Sequence, residues 1–310
     1  MILIAGASGL LGSNLAFTCS IRGIPFHGTY HQHPLHDDTG SFSRRDLSRP
    51  DEVREVMREI RPSVVVNCSA FTNVDGAESA PEQAHSANVD LPALLAEASQ
   101  ETGARFLHIS TDGVFHGNGT PLTEADAVQP LNVYAQTKLK GEQGVLAANP
   151  NALVVRTCIY GWNCIRKESL AEWVLRNLGE KKKITGFTDV VFNPLYVGHL
   201  ADLLLALASG AASGLLHLGC ADFVSKFEFA RRVAATFGAD ANLVEPGQLT
   251  EMRLRASRPG YTVLSCGRAE QVLQRPMPSL DEGIHAMKSF SDGGMLRKLK
   301  TWGERSHGNV

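Results

Sequence analysis

The sequence predicts an α/β fold with a doubly wound parallel sheet and a smaller C-terminal lobe. Two observations carry this prediction. Buried apolar runs alternate with segments of helical periodicity over roughly the first half of the chain, which implies right-handed crossovers between parallel strands. The first run, Ile2-Leu3-Ile4-Ala5, leads into a glycine-rich loop and then into a predicted helix at 13–22. No internal repeat or low-complexity tract interrupts the pattern.

Composition limits the classes of protein to which the chain can belong. Its 310 residues, 43% of them hydrophobic, are enough for a large core in one large domain or two modest ones. A formal net charge of −2 gives no field that would select nucleic acid or an anionic membrane, so small molecules or proteins are the expected partners. Six scattered cysteines without a Cys-x-x-Cys pair favour a reduced, cytoplasmic setting.

Membrane insertion and export are not expected. The apolar start at Met1 leaves no room for a charged leader before the glycine loop. The most apolar later run, at 203–216, is broken by serine and glycine and is shorter than the ~20 residues that span a bilayer. We therefore predict a protein without a membrane segment.

The glycine loop at Gly6, Gly9 and Gly12 is typical of a phosphate-binding turn. Glycines at every third position allow a tight turn and a close approach of the backbone to a pyrophosphate, and they let the helix pack on its strand. The helix N-terminus then presents free N–H groups to the anion. A glycine loop alone can be an ordinary turn, but its place directly after an N-terminal buried strand favours a dinucleotide site.

The second predicted strand, at 25–30, decides which dinucleotide is favoured. Its end carries Tyr30, His31 and Gln32, where an acidic residue is expected for NAD. Without a carboxylate to bind the ribose hydroxyls or repel a 2′-phosphate, NADPH is favoured and NADH stays possible. Arg44 and Arg45 are distant in sequence for a clear phosphate clamp.

Four histidines near this strand suggest a metal site at first sight. Their spacing crosses a strand end and a proline-containing turn and matches no zinc pattern, so a metal is disfavoured. They are His27, His31, His33 and His36. The following segment at 37–40 is expected to be a surface loop.

Two further strand ends carry polar residues. The predicted strand at 63–68 leads into Ser69, Ala70 and Thr72, and that at 105–109 leads into Ser110-Thr111-Asp112. Ligands of open α/β sheets bind at the carboxyl ends of the strands, so these residues are candidates for contact with a cofactor or substrate. Ordinary turn chemistry is an equal alternative for Ser110 and Thr111 when they are considered alone.

Tyr134 and Lys138 lie one turn apart on a helix that we expect to begin near Pro130. An ammonium beside a phenol favours the phenolate, so Lys138 is expected to lower the pKa of Tyr134 from about 10. Tyr134 could then pass a proton to a carbonyl oxygen near neutral pH. Tyr-x-x-x-Lys is a weak signal alone, and the strand ends upstream strengthen it.

The chain beyond residue 157 is less regular. Helices are expected at 168–178, 199–207, 225–237 and 279–289, and a further sheet strand at 215–218. We expect a dinucleotide-binding domain at 1–160, with its sheet completed at about 190–220, and a lobe at 161–290 that mainly binds substrate. The tail at 291–310 is expected to be flexible, with a dimer contact as the alternative.

The motifs together resemble those of the extended short-chain dehydrogenases/reductases, and most closely the dTDP-4-dehydrorhamnose reductase family. The resemblance covers nearly the whole chain, to about residue 288. Besides the glycine loop, it rests on Asn67-Cys-Ser-Ala-Phe-Thr72, Val74-Asp75, Ala77-Glu78, Ser110-Thr-Asp-Gly-Val-Phe115, Leu131-Asn-Val-Tyr134, Lys138-Leu-Lys-Gly-Glu142 and Arg258-Pro259 followed by Leu264.

The resemblance implies a Rossmann fold, NADPH or NADH as cofactor and a nucleotide-activated 4-keto-deoxysugar as substrate. It implies that Tyr134 is the proton donor, that Lys138 lowers its pKa and holds the nicotinamide ribose, and that Thr111 binds the substrate carbonyl. The implied cofactor contacts are Gly6, Ser8, Gly9, Leu10, Leu11, Gly12, Tyr30, His31, Asp46, Leu47, Ser69, Ala70, Tyr134 and Lys138. The implied substrate contacts are Thr72, Asp112, Gly113 and Arg258.

One position departs from the family pattern. The family usually has Tyr after Ser-Thr-Asp, whereas this chain has Gly113, which removes a ring and a hydroxyl from the substrate pocket. The same family includes a non-catalytic relative, the regulatory beta subunit of methionine adenosyltransferase. A cofactor-binding regulatory subunit is therefore the alternative to a reductase, and a homodimer is a possible assembly.

Overall fold

The protein was analysed as a computed structural model, which describes residues 1–37, 40–117, 119–252 and 254–304. Thirteen strands occur in the described residues. They are β1 (Ile2–Ala5), β2 (Phe26–Tyr30), β3 (Phe42–Arg44), β4 (Val64–Asn67), β5 (Arg105–Thr111), β6 (Leu153–Thr157), β7 (Ile159–Tyr160), β8 (Ile184–Phe187), β9 (Val191–Phe192), β10 (Leu195–Tyr196), β11 (Gly214–Leu218), β12 (Val224–Ser225) and β13 (Val244–Gly247).

Twelve α-helices occur in the same described ranges. They are α1 (Leu10–Ile21), α2 (Pro50–Ile60), α3 (Val74–Ser79), α4 (Pro81–His85), α5 (Leu91–Thr102), α6 (Val133–Ala148), α7 (Leu170–Gly179), α8 (Val197–Ala208), α9 (Lys226–Phe237), α10 (Gly267–Leu273), α11 (Leu280–Asp292) and α12 (Met295–Glu304).

Seven of the strands form one sheet in the order β11-β6-β5-β4-β1-β2-β3, and every neighbouring pair is parallel. The order runs outward from β1 in both directions, as in a doubly wound dinucleotide-binding fold. The predicted fold class is therefore confirmed. The reversal of strand order lies between β1 and β4, where the exits of the two strands, at Gly6 and Cys68, face the same edge.

The two faces of the sheet are covered by different helices because consecutive side chains of each strand point to opposite sides. Leu3, Val65 and Phe106 pack with helices α2 and α5 on one face. Ile4, Val66 and Leu107 pack with α1, α7 and α8 on the other face. Each of these six side chains is almost completely buried, so the strands are held from both sides.

Most helix boundaries lie close to the predicted ones, but the start of α6 differs. We expected the helix near Pro130, and it begins at Val133. The reason is the cap: the Asn132 side chain accepts a hydrogen bond of 2.8 Å from the Ala135 N–H. The Asn132 amide also donates to the Ser257 carbonyl at 2.8 Å, so the cap ties the start of α6 to the C-terminal part of the chain.

The C-terminal part adds three two-stranded sheets, β7 with β10, β8 with β13 and β9 with β12. It returns to the main sheet through β11, which pairs with β6 at the position of the strand predicted at 215–218. Two side-chain contacts join it to the sheet edge. Arg258 Nη2 donates to Asp75 Oδ2 at 2.9 Å, and Thr262 Oγ1 donates to Asp112 Oδ2 at 2.6 Å.

The flexible tail predicted from residue 291 is wrong for its described part. Residues 295–304 form α12, and Leu299 is fully buried. Trp302 packs edge-on against Phe17 and Phe42, with ring centroids 5.4 and 5.3 Å apart. Leu299 and Trp302 are three positions apart and fall on one helix face. The burial of these two apolar side chains holds the segment against the protein although its other residues are largely basic. Residues 305–310 lie outside the described residues, as do Asp38 and Thr39 of the predicted surface loop.

Across the described ranges, no helix combines the length and apolar character needed to cross a membrane.

Candidate active site

The glycine loop connects β1 to α1. Because Gly6 and Gly9 have no side chains, the backbone of the loop can be approached closely by a ligand. Gly6 has a φ of +76°, and a Cβ on it would lie 2.7 Å from Ser69 Oγ. A Cβ on Gly12 would lie 2.3 Å from the Gly6 carbonyl oxygen, so only glycine lets α1 pack on the loop. Gly9 is less confined, because its Cβ would lie 3.4 Å from the Gly6 oxygen.

The loop forms one wall of a cleft of about 1340 Å³ at the carboxyl edge of the sheet. Ten of the predicted contact residues line this cleft. They are Gly6, Ser8, Gly9, Tyr30, His31, Asp46, Leu47, Ser69, Ala70 and Thr72. Leu10, Leu11 and Gly12 are not among the lining residues, and they form the first turn of α1 behind the loop.

These walls fit a dinucleotide. The α1 N-terminus has Gly9 as its cap and no side-chain capping bond, so the N–H groups of its first turn are left for an anion. Thr29 lines the cleft, and its hydroxyl is buried and has no hydrogen-bond partner among the described residues. A buried hydroxyl without a partner is costly, so a ligand that bonds it is favoured.

Arg45 is closer to the cofactor cleft than the sequence indicated. Strand β3, which was not predicted, pairs with β2, and the Arg45 N–H donates to the Tyr30 carbonyl at 2.9 Å. Arg45 therefore lines the cleft beside Tyr30 and His31. Its guanidinium also forms ion pairs with three carboxylates of α2. They are those of Glu52, Glu55 and Glu59.

Asp46 occupies the same end of the cleft. Its Oδ1 accepts from the Ser48 hydroxyl at 2.6 Å and from the Ser48 N–H at 3.2 Å. Both hydrogen bonds hold the pKa of the Asp46 carboxyl below its usual value, and the bond from the Ser48 hydroxyl has the larger effect. A carboxylate is therefore present at this end of the cleft, although it does not directly follow β2.

Thr111, Tyr134 and Lys138 come together at the end of β5. Thr111 is the last residue of β5, and Tyr134 and Lys138 lie one turn apart on α6. Thr111 Oγ1 donates to Asp112 Oδ1 at 3.2 Å and accepts from the Gly113 N–H at 3.1 Å. It also lies close enough to the Tyr134 phenol to lower the pKa of that group. Lys138 Nζ donates to the Ile109 carbonyl at 2.7 Å and lies 3.4 Å from His108 Nε2.

The pKa of the Tyr134 phenol is raised to about 12, not lowered as predicted. Burial is the main cause, and the neighbouring Thr111 hydroxyl acts in the opposite direction. Asp112 and Cys158 raise it further. The Lys138 ammonium is directed to the Ile109 carbonyl, and helical spacing alone does not reveal that direction. The phenol is therefore fully protonated at neutral pH.

Lys138 lies in a buried polar layer that reaches the cleft. Its side chain is only 1% exposed, and burial lowers its pKa to about 8, while Glu142 and Cys68 act in the opposite direction. Cys68 lines the cleft, so the ammonium lies just behind the cleft wall. Asn67 Nδ2 and His108 Nδ1 are 3.1 Å apart in the same layer.

A buried asparagine fixes α6 relative to the exit of β4. Asn88 Oδ1 accepts from the Phe71 N–H at 2.8 Å, and its amide donates to Thr137 Oγ1 at 3.0 Å. A Cβ on Gly141 would lie 2.0 Å from the Asn88 carbonyl oxygen, so glycine permits this close packing. The cleft wall at Phe71 and the helix that carries Tyr134 are thus held together.

The four predicted substrate contacts have different surroundings. Asp112 is bound to Thr262, and burial raises the pKa of its carboxyl. Thr72 is hydrogen-bonded by Lys167, and Arg258 is paired with Asp75. A Cβ on Gly113 would meet only Thr111, at a tight 3.3 Å from Oγ1, so a side chain at this position would press on the Thr111 hydroxyl.

Three comparisons identify the family. The family model described as RmlD substrate binding domain matches residues 1–290. A dTDP-4-dehydrorhamnose reductase of Mycolicibacterium smegmatis is 36% identical over 95% of this chain and 88% of its own. A probable low-salt glycan biosynthesis reductase of Haloferax volcanii is 31% identical over 93% of this chain and 98% of its own.

The chain belongs to the RmlD family. Among solved structures, dTDP-4-dehydrorhamnose reductase from Bacillus anthracis in complex with NADP has a TM-score of 0.82 and 28% identity, covering 93% of this chain and 98% of its own. The resemblance found in the motifs is therefore confirmed, as is the prediction of an oxidoreductase. The predicted NADP cofactor is confirmed at the level of the family.

Several residues that line the cleft were not predicted. The segment 164–167 follows β7, which pairs with β10 outside the main sheet, so the strand-end argument that found Ser69 did not reach it. Arg45 was missed as a cleft residue because β3 is short and polar. Lys300 and Gly303 come from α12, which lies outside the residues that the family model matches.

Within the described ranges, no three His, Cys, Asp or Glu side chains are grouped so that they could hold a metal ion. The histidines near β2 have other surroundings, since His27 Nε2 lies 2.8 Å from Ser43 Oγ.

Proposed function

We propose that the chain reduces the carbonyl of a nucleotide-activated 4-keto-deoxysugar with NADPH. The observation that carries this proposal is the proximity of the Thr111 hydroxyl to the Tyr134 phenol, with Lys138 one turn further along α6. Thr111 ends β5 at the carboxyl edge of the sheet. None of the three residues lines the cleft of the glycine loop, but Lys138 lies near Cys68, which does. A hydroxyl pair beside a dinucleotide cleft supports carbonyl reduction.

The glycine loop and the strand ends bind the cofactor in this proposal. Gly6, Ser8, Gly9, Leu10, Leu11 and Gly12 hold the pyrophosphate. Asp46 and Leu47 bind near adenine, Tyr30 and His31 bind at the adenosine ribose, and Ser69 and Ala70 lie along the cofactor. NADPH supplies a hydride to the carbonyl carbon when it is bound. The chain itself positions the carbonyl and provides the proton.

Tyr134 donates that proton to the carbonyl oxygen. Its phenol keeps the proton at neutral pH because burial raises its pKa to about 12. Donation becomes favourable as negative charge develops on the carbonyl oxygen, which is a far stronger base than the ground-state carbonyl. Thr111 hydrogen-bonds the same oxygen, and Lys138 favours the phenolate that remains after transfer and binds the nicotinamide ribose.

Thr72, Asp112, Gly113 and Arg258 form the substrate side. Asp112 and Arg258 are already bound to Thr262 and Asp75, so they shape the pocket through these fixed contacts. Gly113 lacks the ring and hydroxyl that the family's usual tyrosine would place in the pocket. A sugar with a bulkier substituent near the keto group than the family's usual substrate fits this space.

NADPH is favoured over NADH by less than about tenfold, equivalent to about 1.4 kcal/mol. No acidic residue follows β2 at Tyr30, His31 or Gln32, and Arg45 adds a cation to the cleft. Both the pairing of Arg45 with three glutamates and the Asp46 carboxylate keep the preference small.

The test is NADPH oxidation with a panel of nucleotide-activated 4-keto sugars, monitored at saturating cofactor, with kcat/KM compared for NADPH and NADH. We expect turnover with at least one sugar. A chain that binds NADPH tightly but oxidises it with no keto sugar would instead be a regulatory subunit, similar to the methionine adenosyltransferase beta subunit.

Three further predictions from the sequence belong to this proposal. The dinucleotide-binding domain spans 1–160 with its sheet completed at about 190–220, and the substrate lobe spans 161–290. A homodimer is a possible assembly, which sedimentation velocity tests. The cytoplasm is the expected location, in keeping with six cysteines that form no disulfide among themselves in the described structure.

A further inference from the structure

Helix α12 closes one side of the cofactor cleft although it lies outside the residues matched by the family model. It is anchored at three places. Leu299 is fully buried, Trp302 packs between Phe17 and Phe42, and the Trp302 carbonyl accepts from the His36 N–H at 2.9 Å. These contacts fix the rotation of the helix about its axis. Lys300 and Gly303 consequently face the cleft.

The helix approaches the glycine loop through Cys164. A Cβ on Gly303 would lie 2.5 Å from the Cys164 carbonyl oxygen, so glycine is needed for this close packing. Cys164 Sγ in turn donates to the Ser8 carbonyl at 3.7 Å. Burial raises the pKa of the Cys164 thiol, whereas a hydrogen bond with Ser13 and the charge of Lys300 lower it. The Lys300 ammonium is thus near the loop that cradles the pyrophosphate.

The Lys300 ammonium forms an ion pair with Glu172 but no hydrogen bond to it. Its Nζ lies 3.7 Å from Glu172 Oε1, which is beyond hydrogen-bond range. Glu172 is itself used elsewhere, since Oε1 accepts from the Asn163 N–H at 3.1 Å and Oε2 from the Ser169 N–H at 2.9 Å. The three donors of the ammonium can therefore be directed to an anion in the cleft.

Other cations of the cleft are less suited to this place. Arg45 is held by three glutamates of α2 at the Tyr30 end of the cleft. Lys167 donates to Thr72. Arg166 is exposed on the loop that follows β7. Lys300 is two-thirds buried at its side chain, with 32% exposed, and reaches the cleft from a fixed helix.

We propose that Lys300 is a binding residue for the pyrophosphate of the dinucleotide cofactor. This inference rests on the proposed function, because it takes NADPH as the ligand of the cleft. The charge adds to the N–H groups of the glycine loop, and it comes from an element that the family motifs do not include. The pyrophosphate is common to NADPH and NADH, so Lys300 strengthens the binding of both.

The test compares Lys300→Met with Lys298→Met in the full chain. Lys298 is an exposed cation of the same helix that does not line the cleft, so its replacement controls for charge and helix propensity. Dissociation constants of NADPH and NADH are measured by fluorescence titration at low and high salt. Thermal unfolding of each variant verifies that α12 is still packed.

We expect Lys300→Met to weaken both cofactors by about tenfold, as for a lost charged hydrogen bond, with an unchanged NADPH to NADH ratio and a smaller salt dependence. Lys298→Met should bind as the parent does, and Lys300→Arg should restore most of the affinity. Equal affinity of Lys300→Met and the parent overturns the proposal. Loss for NADPH alone also overturns it, because it assigns Lys300 to the 2′-phosphate.

The outcome for the parent separates this inference from the proposed function. A parent that binds neither cofactor contradicts the proposed function, and the assignment of Lys300 fails with it. A parent that binds and turns over NADPH, together with an unaffected Lys300→Met variant, contradicts the assignment of Lys300 alone.

Discussion

Glu142 and Arg156 form an ion pair inside the core, with Arg156 Nη2 2.6 Å from Glu142 Oε2 and each side chain only 3% exposed. Arg156 Nε also donates to Glu142 Oε1 at 3.0 Å, and its guanidinium lies 4.9 Å from the centroid of the Phe115 ring. Glu142 is one turn beyond Lys138 on α6. Its charge partly offsets the lowering of the Lys138 pKa by burial. The pair thus joins α6 to β6 beneath the candidate active site.

Removing one partner of this pair should be strongly destabilising. Glu142→Ala leaves the Arg156 guanidinium buried without a counter-charge, and we expect a loss of about 3–5 kcal/mol in the free energy of unfolding. Urea denaturation measures it. Glu245→Ala, which breaks the exposed pair with Lys183, is the matched control and should cost less than about 1 kcal/mol. Similar losses for the two variants would mean that the buried ion pair contributes no more to the free energy of unfolding than the exposed one.

Gly9→Asp should abolish NADPH binding while the chain still folds. Gly9 has a φ of −74°, which any residue adopts, and its Cβ would lie 3.4 Å from the nearest atom, the Gly6 oxygen. The added carboxylate would repel the pyrophosphate at the α1 N-terminus. Fluorescence titration with NADPH measures the loss. Gly267→Asp, at the start of α10 in open space, is the control, and unchanged affinity of a folded Gly9→Asp variant would remove the cradle assignment.

Tyr134→Phe should change kcat alone, whereas Lys138→Met should change both kcat and the affinity for NADPH. Tyr134→Phe removes one hydroxyl, so we expect kcat to fall by at least about 10²-fold with nearly unchanged NADPH affinity. Lys138→Met should lower kcat and also weaken NADPH binding, because it removes both the charge and a donor to the ribose. Steady-state kinetics and cofactor titration separate the two effects. A Tyr134→Phe variant as fast as the parent would require another proton donor.

The pH dependence of kcat/KM should have an alkaline limb near the pKa of Lys138. The Lys138 ammonium is protonated below about pH 8 and loses its charge as the pH rises through that value. Tyr134 keeps its proton until about pH 12, so the phenol does not limit the rate between about pH 6 and 10. We expect kcat/KM to fall above about pH 8 in the parent. The limb should be absent from the residual activity of Lys138→Met, and a flat parent profile contradicts the role of the ammonium.

The same titration affects stability with a defined sign. The pKa of Lys138 is about 8 in the folded chain and about 10.4 in the unfolded one, so the unfolded chain binds more protons between these values. The contribution of Lys138 to the free energy of unfolding therefore rises with pH across this window. The difference in stability between the parent and Lys138→Met, measured by denaturation at several pH values, should change in the parent's favour as the pH rises.

The sequence predicted those features that depend on local periodicity and on the strand-end rule. Tyr134 and Lys138 are on one helix as predicted, and the strands that lead to Ser69 and Thr111 are in the main sheet. The raised pKa of Tyr134 could not be predicted, because it depends on burial by distant segments. Arg45 was missed because a three-residue polar strand, β3, has no periodicity to detect.

The helix α12 illustrates a different limit. Leu299 and Trp302 have helical spacing, but the basic residues around them favoured a solvated tail. Their partners Phe17 and Phe42 lie at the other end of the sequence, and no local pattern reports a contact of that range. The sequence therefore did not reveal that α12 packs against α1 and β3.

The contact of Trp302 with Phe17 also has a kinetic consequence. It closes a loop of nearly the full chain length, and such non-local contacts form late because their closure entropy is offset only once the rest is folded. We therefore expect α12 to dock after the main sheet has formed. Until it docks, the cleft lacks the wall that carries Lys300, so the newly folded chain acquires its full affinity for the cofactor only at that step.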